Sequence, residues 1–65
     1  GFVSAEPRTE LMGRSGTALT ELRPAGSVLI DGRPIDVVSE GAFVPKGEEV
    51  IVVAVNGSRV VVRKK

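Results

Sequence analysis

Ser15, Ser27, Ser39 and Ser58 are the candidate nucleophiles of this chain, and Lys46, Lys64 and Lys65 are the bases that could activate them. A Ser–Lys dyad needs a lysine buried beside the hydroxyl, where it loses its charge readily. Lys46 falls in a turn sequence, Val44-Pro45-Lys46-Gly47, and the other two lysines end the chain. No Gly-x-Ser-x-Gly elbow accompanies any of the serines. The chain has no histidine, the side chain that most often moves protons near neutral pH. It has no cysteine either, so disulfides are excluded and zinc sites built on thiolate or imidazole are disfavoured. The lack of cysteine suits a reducing compartment. Glu48-Glu49 reads as the polar entry to a strand rather than an acid–base couple. Asp36, set among Ile35, Val37 and Val38, reads as a structural acceptor of backbone hydrogen bonds or a partner of Arg23 or Arg33. Gly13-Arg14-Ser15-Gly16 carries neither a dinucleotide fingerprint nor a Walker lysine. These residues predict no catalytic, cofactor-binding or metal site.

The elements that carry these side chains follow from turn signals and periodicity. A chain of 65 residues is one modest domain, burying about 60% of its unfolded surface. Residues 1–12 read as a flexible lead-in or linker, with a short helical turn near residues 9–12, and residues 13–65 as the folded domain. Gly13 to Gly16 supply a bend into a first strand at residues 17–22, broken by Arg23-Pro24-Ala25-Gly26. A second strand at 27–30 and a third at 33–38 flank Asp31-Gly32, a strong two-residue hairpin signal. That turn sets Ile30 opposite Arg33 and Val28 opposite Ile35. Val28, Ile35 and Val37 then form a core face, with Leu29 and Asp36 on the other side. Residues 39–44 form an irregular crossing whose Phe43 and Val44 are expected to plug one end. Val44-Pro45-Lys46-Gly47 suits a type I turn.

A fourth strand at 49–55 and a fifth at 58–63 flank Asn56-Gly57. Val60 and Val62 face inward. A two-residue Asn-Gly turn sets them opposite Val53 and Ile51; a three-residue loop sets them opposite Val52 and Val50, which the polar phase of Glu49 favours. Five short strands with two tight hairpins predict an all-β fold, a small five-stranded OB-like barrel, whose closure hides its strand edges. A lipoyl-type barrel-sandwich is disfavoured, because no lysine stands at a hairpin tip.

Small barrels of this kind often hold single-stranded nucleic acid by stacking bases on aromatic rings along a basic groove. Here there are two phenylalanines, no tyrosine or tryptophan, and a net charge of +1. The electrostatic term that dominates non-specific binding is therefore missing. A nucleic-acid-binding module remains the alternative on fold analogy alone, and no nucleic acid is expected as a partner. No apolar run approaches the roughly 20 residues of a membrane span. The last hairpin, however, carries apolar residues on its outer side. Ile51, Val53 and Val61, beside Arg59 and Arg63, form the candidate partner surface. An equal reading has Phe2 and Val3 of the lead-in cover them.

Three spaced segments extend the reading. Gly13-x-x-Gly16-x-Ala18-x-Thr20-x-Leu22-Arg23-Pro24-x-Gly26 comes first. Asp31-Gly32-x-x-Ile35-Asp36-Val37-Val38-x-Glu40-Gly41 follows, then Val44-x-x-Gly47-x-x-Val50-x-Val52. In this order, between Gly13 and Arg63, the chain resembles the C-terminal soluble domain of the NfeD family. The resemblance implies an OB-like barrel at the surface of a membrane, on the cytoplasmic side of a prokaryotic membrane protein. It implies anchoring through transmembrane helices of a parent chain that are not present here. It also implies partnership with stomatin- or flotillin-type (SPFH) membrane proteins. Longer members carry a separate serine-protease domain, whose activity does not transfer to this segment.

Overall fold

The computed structural model describes residues 9–41 and 43–65. It contains a 3-10 turn at Thr9–Leu11 and five strands: β1 (Ser15–Ala18), β2 (Ala25–Ile30), β3 (Arg33–Ser39), β4 (Glu49–Asn56) and β5 (Arg59–Lys64). The strands close into a barrel in the order β1-β2-β3-β5-β4. All neighbours are antiparallel except β3 and β5, which run parallel.

The first hairpin has the register that Asp31-Gly32 dictates. Ile30 pairs with Arg33 and Val28 with Ile35. Asp31 and Gly32 both take positive φ, 54° and 77°, the signature of a type I′ turn. Alternation then buries Val28, Ile30, Ile35 and Val37 and leaves Leu29 and Asp36 outside. Asp36 is not paired with Arg23 or Arg33. It accepts a hydrogen bond from the Ser27 hydroxyl directly across the hairpin, at 3.2 Å, and the Arg23 guanidinium goes to Glu21 instead.

Elsewhere the packing overrides local pattern. The first strand lies at Ser15–Ala18 rather than 17–22, and the chain turns away after Ala18, where the Leu19 and Thr20 amides both donate to the Ser27 carbonyl. Leu22 then forms an isolated bridge with Val44, each amide donating to the other's carbonyl. Both side chains are fully buried. Neighbours on an extended segment point to opposite sides, so seating Val44 in the barrel turns Phe43 out. Phe43 is 52% exposed and does not plug the end; the Arg23 guanidinium lies over its ring, 5.3 Å from the centroid. The turn after it is shifted by one residue, with Pro45 accepting from the Glu48 amide and Gly47 in third place at φ 91°.

Neither expected register of the last hairpin occurs. Asn56 belongs to β4 and pairs with Arg59, so the turn residues are Gly57 and Ser58. Gly57 takes φ 63° and Ser58 does not take positive φ, which matches a type II′ turn. Val60 consequently faces Val55. A bulge at Val53 then resets the ladder, so that Val62 faces Val52. Val50, Val52, Val60 and Val62 are buried, joining Leu11, Ala18, Leu22 and Val44 in an all-aliphatic core. Barrel closure rests on Ser15, Gly16 and Thr17 pairing with Ile51, Val50 and Glu49, and on Val38 and Ser39 pairing with Val61 and Val62.

Candidate interaction surface

The outer face of the β4–β5 hairpin holds four of the five residues that the sequence marks as a partner surface. Val50 and Val52 point into the barrel, so Ile51 points out, and it stands opposite Arg63. Val61, outward between buried Val60 and Val62, stands opposite Ala54 and, across the parallel pairing, beside Val38. Val53 occupies the bulge. Ile51, Val53 and Val61 are half-buried, and Arg63 is exposed. Arg59 is set apart from this group. It pairs with Asn56 at the hairpin end and lines a separate cleft between β3 and β5.

Two further residues extend the apolar strip, Val38 and Ala54, both half-buried. The outward phase of Val38 is legible from its alternation with Val37. Its place beside Val61 is not, because it depends on a parallel pairing between distant parts of the chain. The covering segment considered above, with Phe2 and Val3, lies outside the described residues.

The ion pairs of the described residues are Arg14–Asp31 at 2.6 Å, Arg23–Glu21 at 2.9 Å and Lys64–Glu48 at 4.0 Å, all solvent-exposed. Such pairs contribute about 0–1 kcal/mol each. Arg59 and Arg63 enter none of them. Arg63 at the edge of the apolar strip and Arg59 at the hairpin end thus have no acidic partner among the described residues, and arginine beside apolar residues is a composition typical of binding hot spots. The lysines Lys46, Lys64 and Lys65 are all exposed, not in the desolvated setting that a Ser–Lys dyad requires. No group of acidic residues suited to a metal ion occurs among the described residues.

Residues 8–64 match the family model for the NfeD-like C-terminal, partner-binding domain. The chain belongs to the NfeD family. Membrane protein NfeD1b of Bacillus subtilis (strain 168) is 53% identical to it over 64 residues. This alignment covers 98% of the chain but 15% of that protein. Among solved structures, it is similar to the C-terminal domain of stomatin operon partner protein 1510-C from Pyrococcus horikoshii. There the TM-score is 0.82 and the identity 31%, over 88% of this chain and 91% of the other. It is also similar to the soluble domain of a Corynebacterium glutamicum membrane protein implicated in regulation of membrane protease activity. That match has a TM-score of 0.77 and 25% identity, over 86% and 94% of the two chains. The NfeD C-terminal domain is thus a barrel associated with partner binding, and the Bacillus subtilis and Corynebacterium glutamicum relatives are membrane proteins. No helix of the described residues is long and apolar enough to cross a membrane.

Proposed function

We propose that this NfeD domain is a non-catalytic docking module held at the cytoplasmic surface of a prokaryotic membrane by the rest of its parent chain. Its partner is a stomatin- or flotillin-type membrane protein, bound through the outer strip of Ile51, Val53 and Val61 with Arg63 beside it and Arg59 farther off at the hairpin end. The observation that carries this reading is the likeness, over most of both chains, to the C-terminal domain of a stomatin operon partner. The half-buried outer strip on β4 and β5 supplies a surface of suitable chemistry.

The nucleic-acid alternative finds no support in the geometry. OB-type barrels hold oligonucleotides on the β2–β3 face near the loop joining the last two strands. The cleft at that place has Asp36 on one wall and no aromatic ring in its lining, so bases have no stacking platform there. NMR titration of the isotopically labelled domain with the core domain of a stomatin-type protein from the same genome tests the proposal. Shifts are expected at Ile51, Val53, Val61 and Arg63. A flat titration up to high partner concentration overturns it.

A further inference from the structure

Where β3 and β5 close the barrel, their outward side chains fall into two matched columns. Burial alternates along both strands, with Val37 and Ser39 inside on β3 and Val60 and Val62 inside on β5. Asp36 and Val38 therefore point out from β3, followed by the exposed Glu40, while Arg59, Val61 and Arg63 point out from β5. The parallel register sets Val38 beside Val61. The Glu40 amide donates to the Val62 carbonyl at 2.8 Å, which continues that register and brings Glu40 beside Arg63. Two residues before the valines, Asp36 and Arg59 line one cleft. One column thus runs acid, valine, acid and its neighbour arginine, valine, arginine, with steps of about 6.6 Å along the strands.

Cross-strand pairing within the chain is the simplest use of such columns, and the structure does not make it. Glu40, Arg59 and Arg63 enter no ion pair among the described residues, and the Asp36 carboxylate accepts from the Ser27 hydroxyl instead. Two half-buried valines are left between charges of opposite sign that face solvent.

We propose that this face binds a second copy of the chain, about a two-fold axis parallel to the strands and opposite the seam between β3 and β5. That rotation preserves height along the strands and exchanges the columns, so β3 of one copy lies over β5 of the other. Val38 meets Val61, Glu40 meets Arg63 and Asp36 meets Arg59, each contact occurring twice. A face whose two columns each carry one sign of charge is complementary to itself under this operation. The barrel curves away on both sides, so the contact is confined to these two strands and falls below the roughly 1,200 Å² of a standard interface. It belongs to the weak, transient class, with a dissociation constant on the order of 0.1–1 mM. This inference goes beyond the partner-binding reading and stands without it. Val61 and Arg63 are common to both surfaces, so paired copies cover part of the strip assigned to the partner, and self-association competes with capture.

Sedimentation velocity on the domain alone, at low salt and at concentrations rising to about 1 mM, tests the proposal. The sedimentation coefficient is expected to rise with concentration, and added salt to suppress the rise. Glu40→Arg and Arg63→Glu are exposed substitutions that each set like charges against one another twice across the two-fold axis. Each is expected to weaken self-association at least about tenfold. Mixed in equal amounts, the two variants are expected to associate again. The new positive charge of one then faces the new negative charge of the other, and the unaltered Arg63 and Glu40 still meet. Pairing within a single chain cannot produce that rescue. A domain that stays monomeric up to about 1 mM overturns the proposal. So does self-association that neither variant weakens, or a mixture that fails to recover it. None of these results bears on the titration with the stomatin-type protein, which tests the partner-binding reading separately.

Discussion

Gly26 shows how a single residue can carry a tertiary constraint. It lies inside β2 with no positive φ, so backbone freedom is not what it supplies. A Cβ placed on it would stand 2.6 Å from the Glu21 carbonyl oxygen and 2.6 Å from the Thr20 hydroxyl, where the chain folds back after β1. Gly16 is similar, since a Cβ there would collide with the Leu29 backbone. In the sequence both glycines read as bends or breakers, whereas the structure uses them for close approach within strands. Gly26→Ala is accordingly expected to destabilise the domain by about 1–3 kcal/mol through overpacking. In thermal denaturation this would lower Tm by roughly 5–20 °C, at about 4–8 °C per kcal/mol for a chain of this size. An unchanged Tm would mean that the fold-back after β1 relaxes freely.

At the scale of elements, the two hairpins differ in how far they can be read locally. Asp31-Gly32 satisfies a type I′ turn without competition, and the β2–β3 register follows from it. Asn56-Gly57-Ser58 offers two turns, Asn-Gly as type I′ or Gly-Ser as type II′. The structure takes Gly-Ser and corrects the phase with a bulge at Val53. The reason lies outside the hairpin: β4 must also pair with β1, and β5 with β3, while Val50, Val52, Val60 and Val62 all stay inside. Substitutions distinguish the two turns. Gly57→Ala forces a Cβ into positive φ and is expected to cost about 1–2 kcal/mol, whereas Asn56→Thr, at a strand position, is expected to change stability by less than about 0.5 kcal/mol. Urea denaturation of both variants decides the matter. A large loss with Asn56→Thr would restore Asn-Gly as the turn.

For the molecule as a whole, the margin is small and the closure is non-local. A domain of this length without disulfides has roughly 3–5 kcal/mol of stability to draw on. Leu22 and Val44, bridged across the end of the barrel and fully buried, sit where the crossing segment meets the chain after β1. Leu22→Ala leaves a cavity and is expected to cost about 2–5 kcal/mol, enough to unfold much of the isolated domain at 37 °C. Collapse of amide dispersion in its NMR spectrum would register this, while a native-like spectrum would show that Val44 and Phe43 repack into the gap. The small margin also fits a module that spans 15% of its Bacillus subtilis relative.

The all-β class, the first hairpin and its core face, and the alternation that leaves Ile51 and Val61 outside were all legible in the sequence. Each depends on contacts between residues near one another along the chain, or on side-chain period alone. The family likeness, too, rested on spaced residues that the structure puts in turns and strands. Tertiary structure decided the rest: the exposure of Phe43, the shift of the last turn to Gly57-Ser58, the bulge at Val53, the alignment of Val38 with Val61, and the separation of Arg59 into the β3–β5 cleft. These follow from closing a barrel between strands distant in sequence. Closure sets one register for all five strands together, and local pattern yields wherever it conflicts with that register.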